Sequence, residues 1–375
     1  MIPITYRLDS AAEKEYVDKV VSCMEHPETY SKKLESLLYS MGAIGWDILT
    51  RAKRFQFDYP KIYCLCQWIV MPYDEMEEIR KYLEGIIIED LKSLNDSIRE
   101  IDKSIKELTS YHDLKARRTK LYSKNPAVKK LFLEAVSYDS IYTAFKDFIK
   151  FYKEFPKDSH RVNHWIIEKT GLKVCPYCNI QYTYSRKTKA TAQLDHFFPS
   201  SEYPIFALCF YNLIPSCPAC NRIKSNATEK LASPYKKNAF KDLRITWDYK
   251  PSGAEDKYHE TDSLTELEER IDIKIETLLK DEKQNLDTMK ITDAYQQHKD
   301  YASEIIKKIR TYTNPKAQKL ICDIGASVGI TPDEVERFYL GSYLEESDMK
   351  KRPLAKMTRD FYLEVARARG GGGAR

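Results

Sequence analysis

Four cysteines fall in two Cys-x-x-Cys pairs, Cys175/Cys178 in VCPYCN and Cys217/Cys220 in SCPACN. Each pair can sit on a tight knuckle that aims both sulfurs at one ion, so together they match a structural tetrathiolate zinc site. Two other readings are four ordinary buried cysteines and a redox motif. The redox motif needs one pair at a helix start after a strand, not two pairs framing a segment. With four thiolates no coordination position stays open, and closed zinc sites hold structure rather than catalyse. Chemistry therefore has to come from the residues around the pairs. Asp195-His196 stands in QLDHFFP, Asn212 in YNLIPSC, and Asn221 directly follows Cys220.

Simple elements can position these groups. Residues 192–198 read as a short strand stopped by Pro199, and Phe210 to Ile214 as a second strand. Pro218 suits the first turn of a helix that carries Cys220, Asn221 and Lys224. In this order of strand, connection, strand and helix, Asp195 and Asn221 converge on one cation. Alternation along the strand turns His196 to the opposite face, beside the metal without ligating it.

The two cysteine pairs, the Asp-His step, the middle Asn and the Asn directly after the last cysteine resemble the HNH (ββα-metal) endonuclease family over about residues 171–240. His196, Asn212 and Asn221 stand for its three letters, an H-N-N version. The phrases CPYCN, LDHFFP and FYNLIPSCPACN are also similar to HNH proteins of bacterial anti-phage systems, of the Septu and retron-associated kind. The resemblance implies that His196 is the general base on a water, a role that suits histidine's ordinary pKa of about 6.5. It implies that Asp195 and the Asn221 amide oxygen ligate a divalent cation, and that Asn212 shapes the loop and orients the base. Two hard oxygen donors favour Mg²⁺ or Mn²⁺. Such a cation polarises the phosphate and stabilises the leaving 3′ oxygen. The implied substrate is DNA, and the implied partner an ATPase or sensor subunit of a defence system.

Charge agrees with a phosphate-rich substrate. Residues 171–240 hold nine Lys/Arg against three Asp/Glu, formally +6, while the whole chain is +5, so the rest is −1. Arg186, Lys187 and Lys189 form a candidate phosphate-contacting strip, and Arg222 and Lys224 add to it. For any one lysine a merely solvated face is an equal reading. Contacts of this kind carry no sequence information and weaken with salt.

Around the motif the chain reads as helical, giving a mainly α fold with a small α+β core. The expected layout is an N-terminal helical domain over 1–165, a zinc-bound ββα core over 166–255 and a C-terminal helical region over 256–369. Residues 370–375 read as an appended tail. Ile87, Leu91, Leu94, Ile98, Ile101, Ile105 and Leu108 step by four and three, an apolar seam within a coiled-coil-like helix over 83–110. Two readings stand: packing within the domain, or docking in a homodimer or hetero-complex. A basic stretch from Lys115 to Lys130 extends the nucleic-acid track or is a solvated surface. Leu243 to Tyr249 alternates like a strand, and residues 262–310 read as helix again. Thr331-Pro332-Asp333-Glu334 is a helix start, as is the stretch from Arg352 to Lys356.

At 375 residues the chain has room for two or three domains and a sizeable core. No apolar run reaches membrane-spanning length, and the first residues lack a signal-peptide layout. Nine cysteines, five of them scattered, point to a reducing cytoplasm. An unrestrained nuclease would damage its own cell, so the helices are expected to gate the core until a trigger such as infection. Two further readings accompany the DNA endonuclease: an RNA-directed HNH enzyme, and a silent zinc-stapled nucleic-acid-binding module.

Overall fold

A computed structural model describes residues 1–101, 106–109, 111, 113–114, 116–117, 137–157, 159–186, 189–225, 227, 230–250 and 263–368. Among the described residues the fold is mainly helical, with three two-stranded sheets. Five helices come first: α1 (Ser10–Val21), α2 (Pro27–Ser40), α3 (Ala43–Ala52), α4 (Tyr63–Ile69) and α5 (Tyr73–Ile101). Next are α6 (Ser137–Phe145), α7 (Asp147–Tyr152) and α8 (Val162–Thr170). The central segment carries β1 (Ser185–Arg186), β2 (Lys189–Ala190), β3 (Gln193–His196), β4 (Leu213–Ser216) and α9 (Pro218–Lys224). Then follow β5 (Arg244–Tyr249), α10 (Leu264–Arg270), β6 (Ile271–Glu276), α11 (Lys280–Met289) and α12 (Ile291–Gln296). The last helices are α13 (Lys299–Tyr312), α14 (Pro315–Ser327), α15 (Pro332–Leu340) and α16 (Ala355–Ala368).

Packing divides the chain into two units. Arg7–Ile166 with Leu194–Ile214 form one, called here the histidine unit. Met1–Tyr6, Ile167–Gln193 and Pro215–Arg375 form the other, the cysteine unit. This partition cuts across the three consecutive regions expected from the sequence. The Asp-His step travels with the N-terminal helices, and both cysteine pairs travel with the C-terminal ones.

In the histidine unit, α1 starts at Asp9, whose carboxylate accepts from the Ala12 amide at 2.8 Å. It buries Ala12, Tyr16, Val17 and Val20, one face of the helix. The seam of α5 is turned inward from Ile87 through Leu91 and Leu94 to Ile98, with Leu83 buried before it, whereas Ile101 is exposed. The helix begins ten residues earlier than expected, at Tyr73, and is described to Ile101; Ile105 lies outside the described residues. Leu108 is buried but not helical. Its N–H donates to Asn95 Oδ1 and its carbonyl accepts from Asn95 Nδ2, both at 2.9 Å. A polar Asn on the helix thus holds the returning chain where a continued helix was expected. Of the basic stretch, Arg117 alone is described, and it is bound locally to the Lys106 and Glu107 carbonyls and to Asp113.

Residues 204–212 are fixed to the same unit by buried polar handles. Trp68 Nε1 donates to the Ile205 carbonyl at 2.8 Å and Tyr16 Oη to the Leu208 carbonyl at 2.9 Å. A buried indole or phenol needs such a partner, because leaving it unmet costs about 1–3 kcal/mol. Trp68 and Phe206 also stack at 5.9 Å.

In the cysteine unit, β5 and β6 pair antiparallel from Arg244↔Glu276 to Tyr249↔Ile271. The strand β6 corrects the expectation of continuous helix over 262–310. Ile271, Ile273 and Ile275 alternate with charged residues, a period of two that suits a half-buried strand. Ser263 and Thr331 each close a capping box, with Glu266 and Glu334, and α15 stops at Gly341 in the left-handed region. Helix α16 is tied to β5 by a buried pair. Lys356 Nζ lies 2.9 Å from Asp360 Oδ2 and donates to the Leu243 carbonyl, while Asp360 Oδ2 accepts from the Ile245 amide.

Glu364 in α16 supplies a pH-dependent term. Burial first, then the carboxylates of Asp248 and Glu276, lift its carboxyl from 4.5 to about 7. The fold thus favours the protonated acid, so the unfavourable contribution appears above pH 4.5 and is fully present once pH passes about 7. Because the group is half exposed, screening holds the cost to about 1–2 kcal/mol. Glu364→Gln is expected to match the parent near pH 4 and exceed it by that amount near pH 8 in denaturant titrations. An equal gain at both pH values would exclude ionisation as the cause.

Candidate metal centre

Cys175, Cys178, Cys217 and Cys220 are all buried, and their sulfurs lie within 4.8 Å of one another. None is in a disulfide. Ligands about 2.3 Å from a central Zn²⁺ at tetrahedral corners stand roughly 3.8 Å apart. The Cys178 and Cys217 sulfurs, 4.0 Å apart, fit that figure with a slight contraction of the quartet. The four can bind a metal such as zinc.

Local sequence builds both halves of this site. The first pair occupies the turn of a hairpin: Val174 bridges Tyr182, and the Cys175 amide donates to the Gln181 carbonyl at 2.8 Å. Asn179 closes the turn in the left-handed region (φ 55°), which Asn tolerates better than most residues. Its amide donates to the Cys175 carbonyl, and the Ile180 amide donates to Cys178 Sγ. The second pair opens α9. Cys217 is the N-cap, its sulfur accepting from the Cys220 amide at 3.4 Å, and Pro218 takes the first turn. Amide donors and a helix N-terminus both favour thiolate.

The thiols respond unequally to being crowded together. Hydrogen bonds with Cys175 foremost hold Cys178 well below the ordinary thiol range and lower Cys217. Cys175 is pushed up, chiefly by burial, and Cys220 is pushed up by its hydrogen bond with Cys175. Two of the four thiols are thus held toward thiolate, the form that binds a metal. Elsewhere burial simply raises lone thiols, Cys64 to about 11 and Cys66 to about 12.

Asn179 does more than turn the chain. Its Nδ2 donates to the Met349 carbonyl, its Oδ1 accepts from the Lys356 amide, and its carbonyl accepts from the Leu354 amide. The knuckle is thereby stapled to the start of α16. Tyr295 Oη donates to the Cys178 carbonyl at 2.9 Å, and the Ile2 amide to the Pro176 carbonyl.

In the histidine unit, β3 carries Asp195, buried, and His196, half-buried. His196 Nε2 lies 3.0 Å from the Ala207 carbonyl. A carbonyl only accepts, so Nε2 carries the proton in this contact. The Tyr152 ring meets the imidazole edge-on at 4.4 Å, and its hydroxyl donates to the Leu194 carbonyl. Burial, then the charge of Asp195, drive the Tyr152 phenol up.

Asn212 braces the loop between these points. Its Oδ1 accepts from the Phe198 amide at 2.7 Å; its Nδ2 donates to the Phe198 and Phe206 carbonyls at 3.2 and 3.0 Å. The side chain is fully buried. The second strand expected over Phe210 to Ile214 is instead a 3₁₀ turn at Phe210–Asn212 followed by β4. The turn forms because the Asn212 amide donates back to Cys209, and it lets the side chain reach across the loop.

Asn221 lies in the cysteine unit, apart in that partition from Asp195, His196 and Asn212. Its Nδ2 donates to Gln193 Oε1 at 2.7 Å, which leaves the amide oxygen available as an acceptor. Arg186 and Arg222 are exposed, and Arg186 faces Lys189 in the β1–β2 register. Lys187 lies outside the described residues. Lys224 is corrected: only 1% exposed, it shares the buried face of α9 with Cys220, four residues away, and is not a surface phosphate contact.

Gln193, Asn179 and Tyr152 were not singled out from the sequence. Gln193 had a signal, two positions before Asp195 on the same strand; the other two contacts are set by tertiary packing. Among the described residues no helix is long and apolar enough to cross a membrane. No family model, curated protein or solved structure matches the chain.

Proposed function

We propose that the chain is a metal-dependent HNH-type endonuclease that hydrolyses phosphodiester bonds in DNA. The observation that carries this reading is the His196 imidazole, held in place through Nε2 by the Ala207 carbonyl. Its loop is pinned by Asn212 and it adjoins Asp195 in β3. In the proposed reaction the His196 imidazole takes a proton from water, whose oxygen attacks phosphorus. The P–O3′ bond breaks and the leaving oxygen takes a proton from solvent water, giving a 5′-phosphate and a 3′-hydroxyl. Asp195 and the Asn221 amide oxygen are the proposed ligands for Mg²⁺ or Mn²⁺, whose chemistry is polarisation of the phosphate and stabilisation of the leaving oxygen. In this reading the cysteine-bound zinc shapes the scaffold and takes no part in the reaction.

The wording shared with anti-phage nucleases adds a proposed role as a defence effector, restrained by a partner such as an ATPase or sensor. Zinc-loaded chain, alone and with co-purified partners, is to be incubated with plasmid, single-stranded DNA and RNA, with and without added Mg²⁺ or Mn²⁺. Mg²⁺-dependent DNA cutting is expected. Cutting of RNA alone would replace the DNA reading with the RNA-directed one. Silence on every substrate under every condition would leave only the binding module.

A further inference from the structure

We infer that the outer face of the zinc-knuckle hairpin is a stacking platform for unpaired nucleotides, so that the strand engaged is single-stranded nucleic acid. The hairpin is rigid where it matters. The Thr183 amide donates to the Lys173 carbonyl, Val174 bridges Tyr182, and the Cys175–Cys178 knuckle forms the turn. The Tyr184 carbonyl accepts from both the amide and the hydroxyl of Thr191.

Exposure alternates from Tyr182, at the bridge, to Arg186 in β1. Thr183 is fully buried, whereas Tyr182 is 51% and Tyr184 38% exposed, and Arg186 is exposed beyond them. Three exposed residues thus stand two apart along the chain, with Thr183 buried between the tyrosines. The two rings are 5.5 Å apart at 63°, a preorganised pair rather than two stray side chains. An exposed aromatic face next to a cation is how single strands are held without regard to sequence. Bases inside a duplex spend their faces on each other; unpaired bases offer theirs.

Charge complementarity favours a polyanion as occupant. Residues 171–193 hold Lys173, Arg186, Lys187 and Lys189 and no acidic residue. The naming of a substrate rests on the nuclease reading; the binding surface does not.

The test is fluorescence anisotropy with a short labelled oligothymidine, using zinc-loaded full chain carrying His196→Ala so that the probe survives. Tyr182→Ala and Tyr184→Ala are each expected to weaken binding about ten-fold, while the Phe variants keep it. Arg186→Ala is expected to weaken binding and reduce the salt slope by about one. A duplex of the same sequence length should bind more weakly and ignore the tyrosines. An oligouridine arm identifies the source of the strand: binding of either DNA or RNA that depends on the tyrosines supports the platform. Alanine variants that bind like the parent, or a duplex bound more tightly than the single strand, overturn it. The two readings fail separately. Tyrosine-dependent binding by a chain that never cuts removes the nuclease and keeps the platform. Cutting with tyrosine-independent binding does the reverse.

Discussion

Replacing Cys217 with serine, or stripping the metal with a chelator, is expected to unfold the cysteine unit. Structural zinc in small sites contributes on the order of 10 kcal/mol, comparable with the whole 5–15 kcal/mol stability of an ordinary domain. What the quartet organises explains the size of the effect. Helix α9 has seven residues and cannot persist alone. The first knuckle holds an Asn at positive φ, and through Asn179 it anchors the start of α16. Tyr295 and Ile2 dock on the same turn. Without the cation, four buried sulfurs face one another with nothing to bind them together, and these attachments lose their common support. The expected results are one metal per chain by elemental analysis and, with Co²⁺, the absorption of a tetrahedral thiolate site. Cys209→Ser is the control: that thiol is buried in the other unit and donates to the Trp68 carbonyl, a bond serine can retain. A Cys217→Ser chain that keeps both metal and melting behaviour would sink the zinc assignment.

What was legible in the sequence was what short-range chemistry writes there. Pro218 after Cys217 announced the start of α9, Thr331 to Glu334 a capping box, and Leu243 to Tyr249 a strand, since each signal spans only a few residues. The cysteine quartet was legible because metal ligation demands a fixed spacing at each knuckle. Elements decided by distant partners were not. The Ile-Asp-Ile-Lys-Ile-Glu run of β6 alternates, but it is short, lies between helices and is fixed as a strand by its pairing with β5. Asn212 looked like a strand residue because its three side-chain bonds reach back 6 to 14 residues across the loop. Lys224 looked like a phosphate contact because composition reports charge and not which helix face is buried. The seam of α5 was legible as apolar, while its partner was not; Asn95 turning Leu108 back is a contact the heptad pattern cannot encode.

His196→Ala is expected to lower the rate of DNA cleavage by about 10²–10⁴ while leaving the fold and bound zinc intact. The two effects separate because the residue does little for stability. Its ring is half-buried, it makes a hydrogen bond to the Ala207 carbonyl worth about 1 kcal/mol, and it touches Tyr152. Asn212→Ala makes the contrast. Removing that amide strands the Phe198 amide and the Phe198 and Phe206 carbonyls inside the fold, at about 1–3 kcal/mol for each group left unmet. It should therefore lower thermal stability and cleavage together, by loosening the loop that holds the Ala207 carbonyl against the imidazole. His196→Asn refines the point: an amide can still donate toward Ala207 but cannot take a proton from water at neutral pH, so cleavage should stay low. Added imidazole should restore part of the rate to the alanine variant, because the missing function is a proton acceptor rather than a shape. The measurement is a single-turnover cleavage time course at fixed Mg²⁺, beside a melting curve and zinc content for each variant. A His196→Ala chain that cuts at the parental rate would move the base elsewhere and with it the reason for reading Asp195 and Asn221 as metal ligands.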